Sequence, residues 1–473
     1  MSEISKLTPQ SVWEIFDLIC SIPHISKHEA AVAAALAEKA ADAGLKVIQD
    51  ETGNLIIHRP ASSGMENAEP VIMQAHMDMV PASEGEFDFI NTPITPYIDG
   101  EWVKARGTTL GSDDGIGVAL ALSVIMDKEF RCGALTVILT VDEEAGMSGA
   151  AALAPEYLQG KYLVNLDGSD NGFCIGCAGG ARLETVFTPE YDTSVSGHAV
   201  KVTLSGLPGG HSGLCIHENR GNALKFLAEF LDQQNGLRLN SFTGGTADNA
   251  IPYFAAAEGI AAVSAGELQQ LADAYTMLIK ADCSNAKDMV IKVESIAAPE
   301  KVWTAKFTKE LLSAMILVPN EVMDFADTLN IVKTSSNLAT VRTLADKVVI
   351  RSTQRSLADS DREAITNAII AHFELFHGVS TMGDTYPATP PKTDSLLLKT
   401  AQKCADKLGK RSVAYAIHAG LESGWFSMKN PDLEIISCGP DHDNYHTPNE
   451  QLRIKSVGEA DRFLRDLLLE LAK

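Results

Sequence analysis

One repeated arrangement constrains the fold of this chain more than any other: short apolar runs that each end in a carboxylate or an imidazole. Val71-Ile72-Met73 leads into Gln74-Ala75-His76-Met77-Asp78. Leu135 to Val141 leads into Asp142-Glu143-Glu144, and Tyr162 to Leu166 leads into Asp167. Near the C-terminus, Leu433 to Ser437 precedes a loop holding His442 and His446, while Asp113-Asp114 opens a helical stretch after Gly111. Short β-rich runs bounded by turn residues read as strands. In open α/β sheets the carboxyl ends of the strands form the rim where ligands bind. The sequence therefore predicts an α/β fold with its chemistry gathered on one rim.

The rest of the chain organises around that sheet. Ser26-x-x-Glu29 reads as a capping box before the Ala-rich run Ala30 to Ala43, which Gly44 closes. Strands are expected at Lys46 to Gln49, Leu55 to His58 and Val71 to Gln74, and a helix from Ser112 to Lys128 before the strand at Leu135 to Val141. This alternation predicts helices on both faces of the sheet. After about residue 185 the rhythm becomes strand–helix–strand–strand, with helices at Asn222 to Asn235 and Glu267 to Ile279 and a strand at Lys347 to Arg351, as in an α+β insertion. The α/β pattern resumes near residue 389 and ends in an amphipathic helix, Ser456 to Leu471. The expected division is a catalytic domain split into residues 1–185 and 389–473, with a lid domain, 186–388, inserted between them.

Bulk properties narrow the partners. At 473 residues the chain exceeds one ordinary core. A formal charge of -23 argues against nucleic acid, whose phosphates need clustered Lys and Arg, and against an anionic membrane surface. Met1 to Gln10 lacks the basic and apolar regions of a signal peptide, and no run approaches the roughly 20 apolar residues of a membrane span. The expectation is a cytoplasmic protein. Eight irregularly spaced cysteines read as buried thiols, Cys174-x-x-Cys177 included.

The rim residues suit a pair of metal ions. Two divalent ions a few ångströms apart need a shared carboxylate and terminal ligands on each. Oxygen and imidazole donors without thiolate suit Zn2+, Mn2+ or Co2+. Such an ion lowers the pKa of bound water from about 15.7 to about 7, roughly 12 kcal/mol in favour of hydroxide. A general base is still needed to move the proton. Neighbouring side chains at a strand end point in different directions, so Glu143 and Glu144 can divide these tasks. Asp78, two residues after His76, can accept that imidazole's second N–H and fix its tautomer.

The longer motifs carry a family resemblance. His76-Met-Asp78-Met-Val, Gly111-Ser-Asp113-Asp-Gly-Ile-Gly117, Glu143-Glu144-Ala-Gly and Gly209-Gly-His211-Ser-Gly resemble the co-catalytic metallopeptidases that include aminoacylase, peptidase T and peptidase V. The stretches Tyr97 to Leu110, Cys177-Ala-Gly-Gly180, Ile417-His-Ala-Gly-Leu-Glu422 and His446-Thr-Pro-Asn-Glu-Gln451 are similar to their aminoacyl-histidine dipeptidase branch. The resemblance runs nearly end to end. It implies a zinc-exopeptidase-like catalytic domain, a mixed sheet flanked by helices, with an inserted α+β lid. By matching positions it implies His76 and Asp167 as terminal ligands of one ion, Glu144 and His446 of the other, and Asp113 as the bridge. It implies Glu143 as general base, Asp78 as orienting carboxylate and His211 as oxyanion stabiliser, in many relatives acting across a dimer interface. Asn249 and Arg355 would hold the substrate's terminal carboxylate, for which a bidentate guanidinium is well suited. The cofactor implied is two Zn2+ per subunit, replaceable by Mn2+ or Co2+, in a homodimer. His442 rivals His446, because the loop Gly439 to His446 is rich in possible ligands.

Each residue alone has an ordinary reading. Asp113 could be a helix N-cap worth about 1 kcal/mol, Asp167 a turn residue before Gly168, Glu143-Glu144 a solvated strand end, and His211 an exposed loop residue. Their order and their common placement at strand ends favour one site. The activity this implies is hydrolysis of unblocked dipeptides, Xaa-His and β-Ala-His among them. An N-acyl amino-acid deacylase or carboxypeptidase on the same scaffold, or a non-catalytic metal-binding relative, are the rivals.

Overall fold

A computed structural model describes residues 2–194, 196–327 and 329–473 of the chain. These form two units: residues 1–177, 389–416 and 421–473 make the first, and 178–388 with 417–420 the second.

The first unit is built on an eight-stranded sheet ordered Lys46–Gln49, Leu55–Arg59, Leu135–Thr140, Val71–His76, Tyr162–Asn165, Glu434–Ser437, Phe173–Cys177 and Ala414–Ile417. Its four middle strands, from Leu135–Thr140 to Glu434–Ser437, are mutually parallel. Parallel pairing brings all four carboxyl ends to one edge, and the runs ending in acids and imidazoles belong to these strands. Side chains alternate across the sheet. Ile57, Met73, Ala75, Val137 and Val164 enter one apolar cluster, while Ile56, Ile72, Ile138 and Leu163 enter another with Phe426 and Leu433. Both faces are therefore covered, as near-continuous apolar strands require.

The helix Ser112–Met126 buries every residue from Ile116 to Ile125. A helix apolar all round belongs in a core. No helix among the described residues is long and apolar enough to cross a membrane. Cys174 and Cys177 are buried in the strand Phe173–Cys177.

One expected element is corrected. Ser26 and Glu29 do not cap the helix Ala30–Asp42, whose N-terminus has no side-chain cap. The Ser26 hydroxyl donates to Asp78 Oδ2 at 2.7 Å, and Glu29 Oε1 accepts from the amides of Lys27 and Asp142 at 2.8 and 3.0 Å. A carboxylate and a buried turn compete for these groups and outbid the exposed helix end.

The second unit carries a nine-stranded sheet whose paired strands are antiparallel. Among the described residues four α-helices accompany it: Ala223–Asp232, Ala265–Asp282, Ala305–Leu317 and Asp359–Leu375. Asn222 caps the first by accepting from Leu224 and Lys225, and Ser264 with Glu267 forms a true capping box on the second. The expected border at 185 falls inside the strand Gly179–Phe187, which lies wholly in this unit. Ile417–Gly420, expected in the other unit, belongs here as well, with Ile417 and Ala419 carbonyls accepting from the Ala178 amide at 3.1 Å.

Candidate metal centre

At the carboxyl edge of the parallel strands, acids and imidazoles from five segments converge. His76 Nε2 lies 3.2 Å from Asp113 Oδ1. His446 Nε2 lies 3.3 Å from Asp113 Oδ2 and 2.8 Å from Glu144 Oε1. Three groups have donor atoms within 4.8 Å of one another: His76–Asp113–Asp167, Asp113–Glu144–His446 and His76–Glu143–Glu144. Asp113 is shared by the first two. His442 is in none of them; its ring instead lies 5.2 Å from that of Tyr445.

The backbone around each group is shaped for the purpose. Asp113 and Asp114 depart from helical geometry at the start of their helix, whose N-cap residue, Gly111, brings no side-chain cap. Asp114 packs over Gly117, where a Cβ would come within 2.2 Å of Asp114 Oδ1, so the glycine is required by close approach. Asp142 and His446 both hold positive φ, 58° and 62°. Non-glycine residues in that region store strain, and such residues cluster at functional sites. The strain at Asp142 is held by Glu29 on its amide and by Ser148 Oγ on its carboxylate at 2.5 Å.

Asp78 acts as a hub. Its carboxylate accepts from the amides of Glu143 and Glu144 at 3.0 and 3.2 Å, besides Ser26. The acceptor nearest His76 Nδ1 is consequently the Asp78 carbonyl at 3.0 Å, with the carboxylate at 3.4 Å. Either way Nδ1 keeps its proton, and Nε2 faces Asp113. Burial works against ionisation of Asp78, yet the bonds from His76 and Ser26 hold it down at about 2.

Negative charge is concentrated here without ordinary counter-ions. Among the described residues no Lys or Arg pairs with Asp78, Asp113, Glu143, Glu144 or Asp167; the ion pairs they make are with histidines. Burial, reinforced by Asp113, pushes Asp167 up to about 8. Burial likewise drives Glu143 well above the carboxylate range, with Asp167 and Glu144 adding to it. Bonds from His446 and His76 overcome burial to keep Asp113 ionised, and in turn Asp113 and Glu144 hold His446 up at about 10. Burial opposes charge on His76, but Asp113 and Asp78 raise it well above its usual value. Oxygen and imidazole donors crowded until they retain protons fit a site for cations.

The second unit holds its own cluster. A short ladder pairs Gly210–His211 with Ala250–Ile251, and the Ser212 amide donates to the Asn249 carbonyl at 2.8 Å. His211 Nδ1 accepts from the amides of Gly213 and Leu214 at 3.2 and 3.1 Å, which leaves its proton on Nε2 as a donor. Burial and then Arg355 press His211 down to about 4, so it stays neutral at pH 7. Arg355 is itself buried; its Nη1 donates to Tyr386 Oη at 2.6 Å, and its Nε has no hydrogen-bond partner among the described residues. An unsatisfied buried donor costs about 1–3 kcal/mol, so this guanidinium is poised for an acceptor. Ser335 Oγ and His418 Nε2 meet at 2.7 Å in the same unit.

The chain as a whole has counterparts among known proteins. Residues 72–470 match the model of peptidase family M20/M25/M40. The chain belongs to that family. It is 39% identical over its full length to the cytosol non-specific dipeptidase of Escherichia coli, covering 99% of that protein. The crystal structure of aminoacylhistidine dipeptidase from Vibrio alginolyticus superimposes with a TM-score of 0.91 at 38% identity, covering 99% of this chain and 98% of that one. Aminopeptidase PepT of Bacillus cereus, at 17% identity and a TM-score of 0.59 over 99% of this chain and 100% of that chain, shares the fold.

Within this M20 chain the structure brings to the rim residues that no sequence motif placed there. Ser26 and Glu29 brace the turns carrying Asp78 and Glu143. Glu422, fully buried, accepts from Gln74 and Thr140 at 2.6 and 2.7 Å, and burial lifts it to about 7. Gln74 and Thr140 stand on strands that lead to the rim, so a period-2 reading of polar residues inside apolar strands could have found this row.

The titrations have a measurable consequence for the metal-free protein. His446 (6.5 to about 10) and Asp167 (3.8 to about 8) both gain protons on folding. The His446 contribution is complete below pH 6.5 and lost as pH rises toward 10; the Asp167 penalty grows from 3.8 to 8. Between roughly pH 5 and 8 the folded state therefore binds more protons than the unfolded one, and stability falls as pH rises. Asp78 has the opposite sign, but its change lies between 3.8 and about 2, outside this window. His211 and His418, pressed from 6.5 to about 4 and about 3, oppose the trend below pH 6.5. There Glu422, raised from 4.5 to about 7, and Glu143 and Asp114, both driven up by burial, offset them. Chelator-treated protein is expected to melt at a lower temperature at pH 8 than at pH 5.5. A melting temperature that climbs over this interval contradicts the assignment.

Proposed function

We propose that this M20 chain is a cytosolic dinuclear metallodipeptidase that hydrolyses unblocked dipeptides, Xaa-His and β-Ala-His among them. The observation carrying the reading is the sharing of Asp113 between two three-donor groups, His76–Asp113–Asp167 and Asp113–Glu144–His446. These residues would hold two Zn2+ ions, with Mn2+ or Co2+ as substitutes. When bound, the ions supply the acidity that makes water a nucleophile near neutral pH and polarise the scissile carbonyl. The full-length likeness to proteins named as dipeptidases, one of them cytosolic, supports the substrate class and the compartment.

The chain's own residues divide the remaining work. Glu143 takes the proton of the attacking water and passes it to the leaving amine; its buried carboxyl is suited to carrying that proton. Asp78 fixes the His76 tautomer and, through two amides, the Glu143–Glu144 turn. His211, neutral with its proton on Nε2, donates to the developing oxyanion. Arg355 and Asn249 bind the substrate's terminal carboxylate. The protein acts as a homodimer, by the family likeness.

A substrate panel tests the reading. With zinc present, free dipeptides are expected to turn over at least about tenfold faster, in kcat/KM, than tripeptides or N-acetylated amino acids. Preference for the N-acetylated compounds instead identifies a deacylase on the same scaffold. Sedimentation of the loaded protein is expected to give twice the chain mass.

A further inference from the structure

We propose that Glu450 is a positioning residue that clamps the bridging Asp113 to the loop carrying His446, and so sets the spacing of the two metal groups. The proposal rests on the metal-centre reading above, but on none of its substrate assignments.

Glu450 is 2% exposed and has no Lys or Arg partner among the described ion pairs. Its charge is met instead by five donors from one short segment. Glu450 Oε2 accepts from the amides of Leu110 and Gly111 at 2.7 and 3.1 Å. Oε1 accepts from the amide and hydroxyl of Ser112 at 2.7 and 2.6 Å, and from the Asp113 amide at 3.3 Å. Bonds to an ionised acceptor are about twice as strong as neutral ones.

The position of this carboxylate matters more than its strength. Four successive amides turned toward one anion fix the backbone of 110–113, and the Asp113 side chain is left to face His76 and His446. Glu450 also lies four residues after His446, and its own amide closes a turn onto the Thr447 carbonyl at 3.1 Å. One side chain thereby links the shared ligand to the segment holding a terminal ligand, across more than 330 residues of sequence. His446 is 45% exposed at its side chain and sits at positive φ, so packing alone does little to hold it.

A purely structural latch and a positioning role predict different results. Glu450→Gln keeps the volume but turns an amide NH2 toward backbone N–H groups. In metal-free protein, amide hydrogen exchange in the segment 108–116 is expected to accelerate by about tenfold or more in this variant. Zinc affinity, measured by chelator competition, is expected to fall by roughly 10–100-fold, as for other groups that orient metal ligands. Turnover should drop through kcat, with KM within about threefold. Ser112→Ala, which removes one donor and leaves the carboxylate in place, should weaken zinc by a smaller factor in the same direction, and keeps the test open if Glu450→Gln fails to fold. Ser395→Ala, which deletes a helix cap elsewhere in the same unit, serves as a destabilised control and should leave zinc affinity unchanged. Wild-type zinc affinity and exchange rates in folded Glu450→Gln, or in Ser112→Ala should the former not fold, overturn the proposal. A wild-type protein that binds no zinc removes the metal-centre reading itself, which is a separate failure.

Discussion

Glu143→Ala is expected to retain both metal ions and to lose turnover by roughly 10²–10⁴-fold, the usual contribution of a positioned general base. Two of the three donor groups, His76–Asp113–Asp167 and Asp113–Glu144–His446, do not include Glu143. Deleting it therefore leaves each ion three protein donors. It also removes a buried carboxyl that burial drives up and that its like-charge neighbours, Asp167 and Glu144, raise further. Metal content by elemental analysis should stay at the wild-type value while kcat on an Xaa-His dipeptide collapses. Glu144→Ala is the counterpart: it takes a ligand from the His446 group and should cost metal as well as rate. The two variants separate the roles because geometry alone permits either glutamate to approach His76. Activity within tenfold of wild type in Glu143→Ala would falsify the assignment of the base.

The gathering of this rim was legible in the sequence for a simple physical reason. Strands buried on both faces are written as apolar runs, and parallel pairing sends every run's last residues to the same edge. Any polar group just after such a run must then lie on that edge, whatever its chemistry. Positions that depend on backbone conformation rather than on pattern were not legible in this way. His442 lies in the short strand His442–Asp443, paired with Gln451–Leu452, and His446 follows four residues on along a path with positive φ at Asn444 and His446. The domain border was misplaced by several residues because the chain runs straight from Cys177 into the strand Gly179–Phe187 with no change in burial.

Ser26-x-x-Glu29 and Ser264-x-x-Glu267 show the same limit more sharply. Both carry one pattern, and both precede a helix. Glu267 is exposed and Ser264 partly so, and the helix amides are the partners within reach, so a capping box forms. Ser26 and Glu29 lie beside Asp78 and the Asp142 turn, where acceptors and donors are buried and cannot be left to water. Tertiary demand overrides a local motif of about 1 kcal/mol. Glu450 belongs to the same class: its five partners lie 337–340 residues away, a relation that no local pattern encodes.

Asp113→Ala is expected to abolish tight binding of both ions and to reduce turnover below detection. Asp113 belongs to both flanking groups, its Oδ1 toward His76 and its Oδ2 toward His446. Removing it leaves two donors in each, fewer than the three protein ligands usual in catalytic zinc sites. The loss should also alter the histidines: Asp113 is among the groups that raise both His76 and His446, so the metal-free variant should bind fewer protons near neutral pH. Its melting temperature should accordingly vary less between pH 5.5 and 8 than that of metal-free wild type. Asp113→Asn preserves the shape but has one acceptor oxygen where the carboxylate has two, so it should hold no more than one ion per chain. Elemental analysis after dialysis reads both variants. An Asp113→Ala protein that still carries two ions removes Asp113 from the bridge and makes the two groups independent sites. In that event the crowding of Glu143 between them would have to be explained by a ligand role, which the Glu143→Ala metal content measures directly.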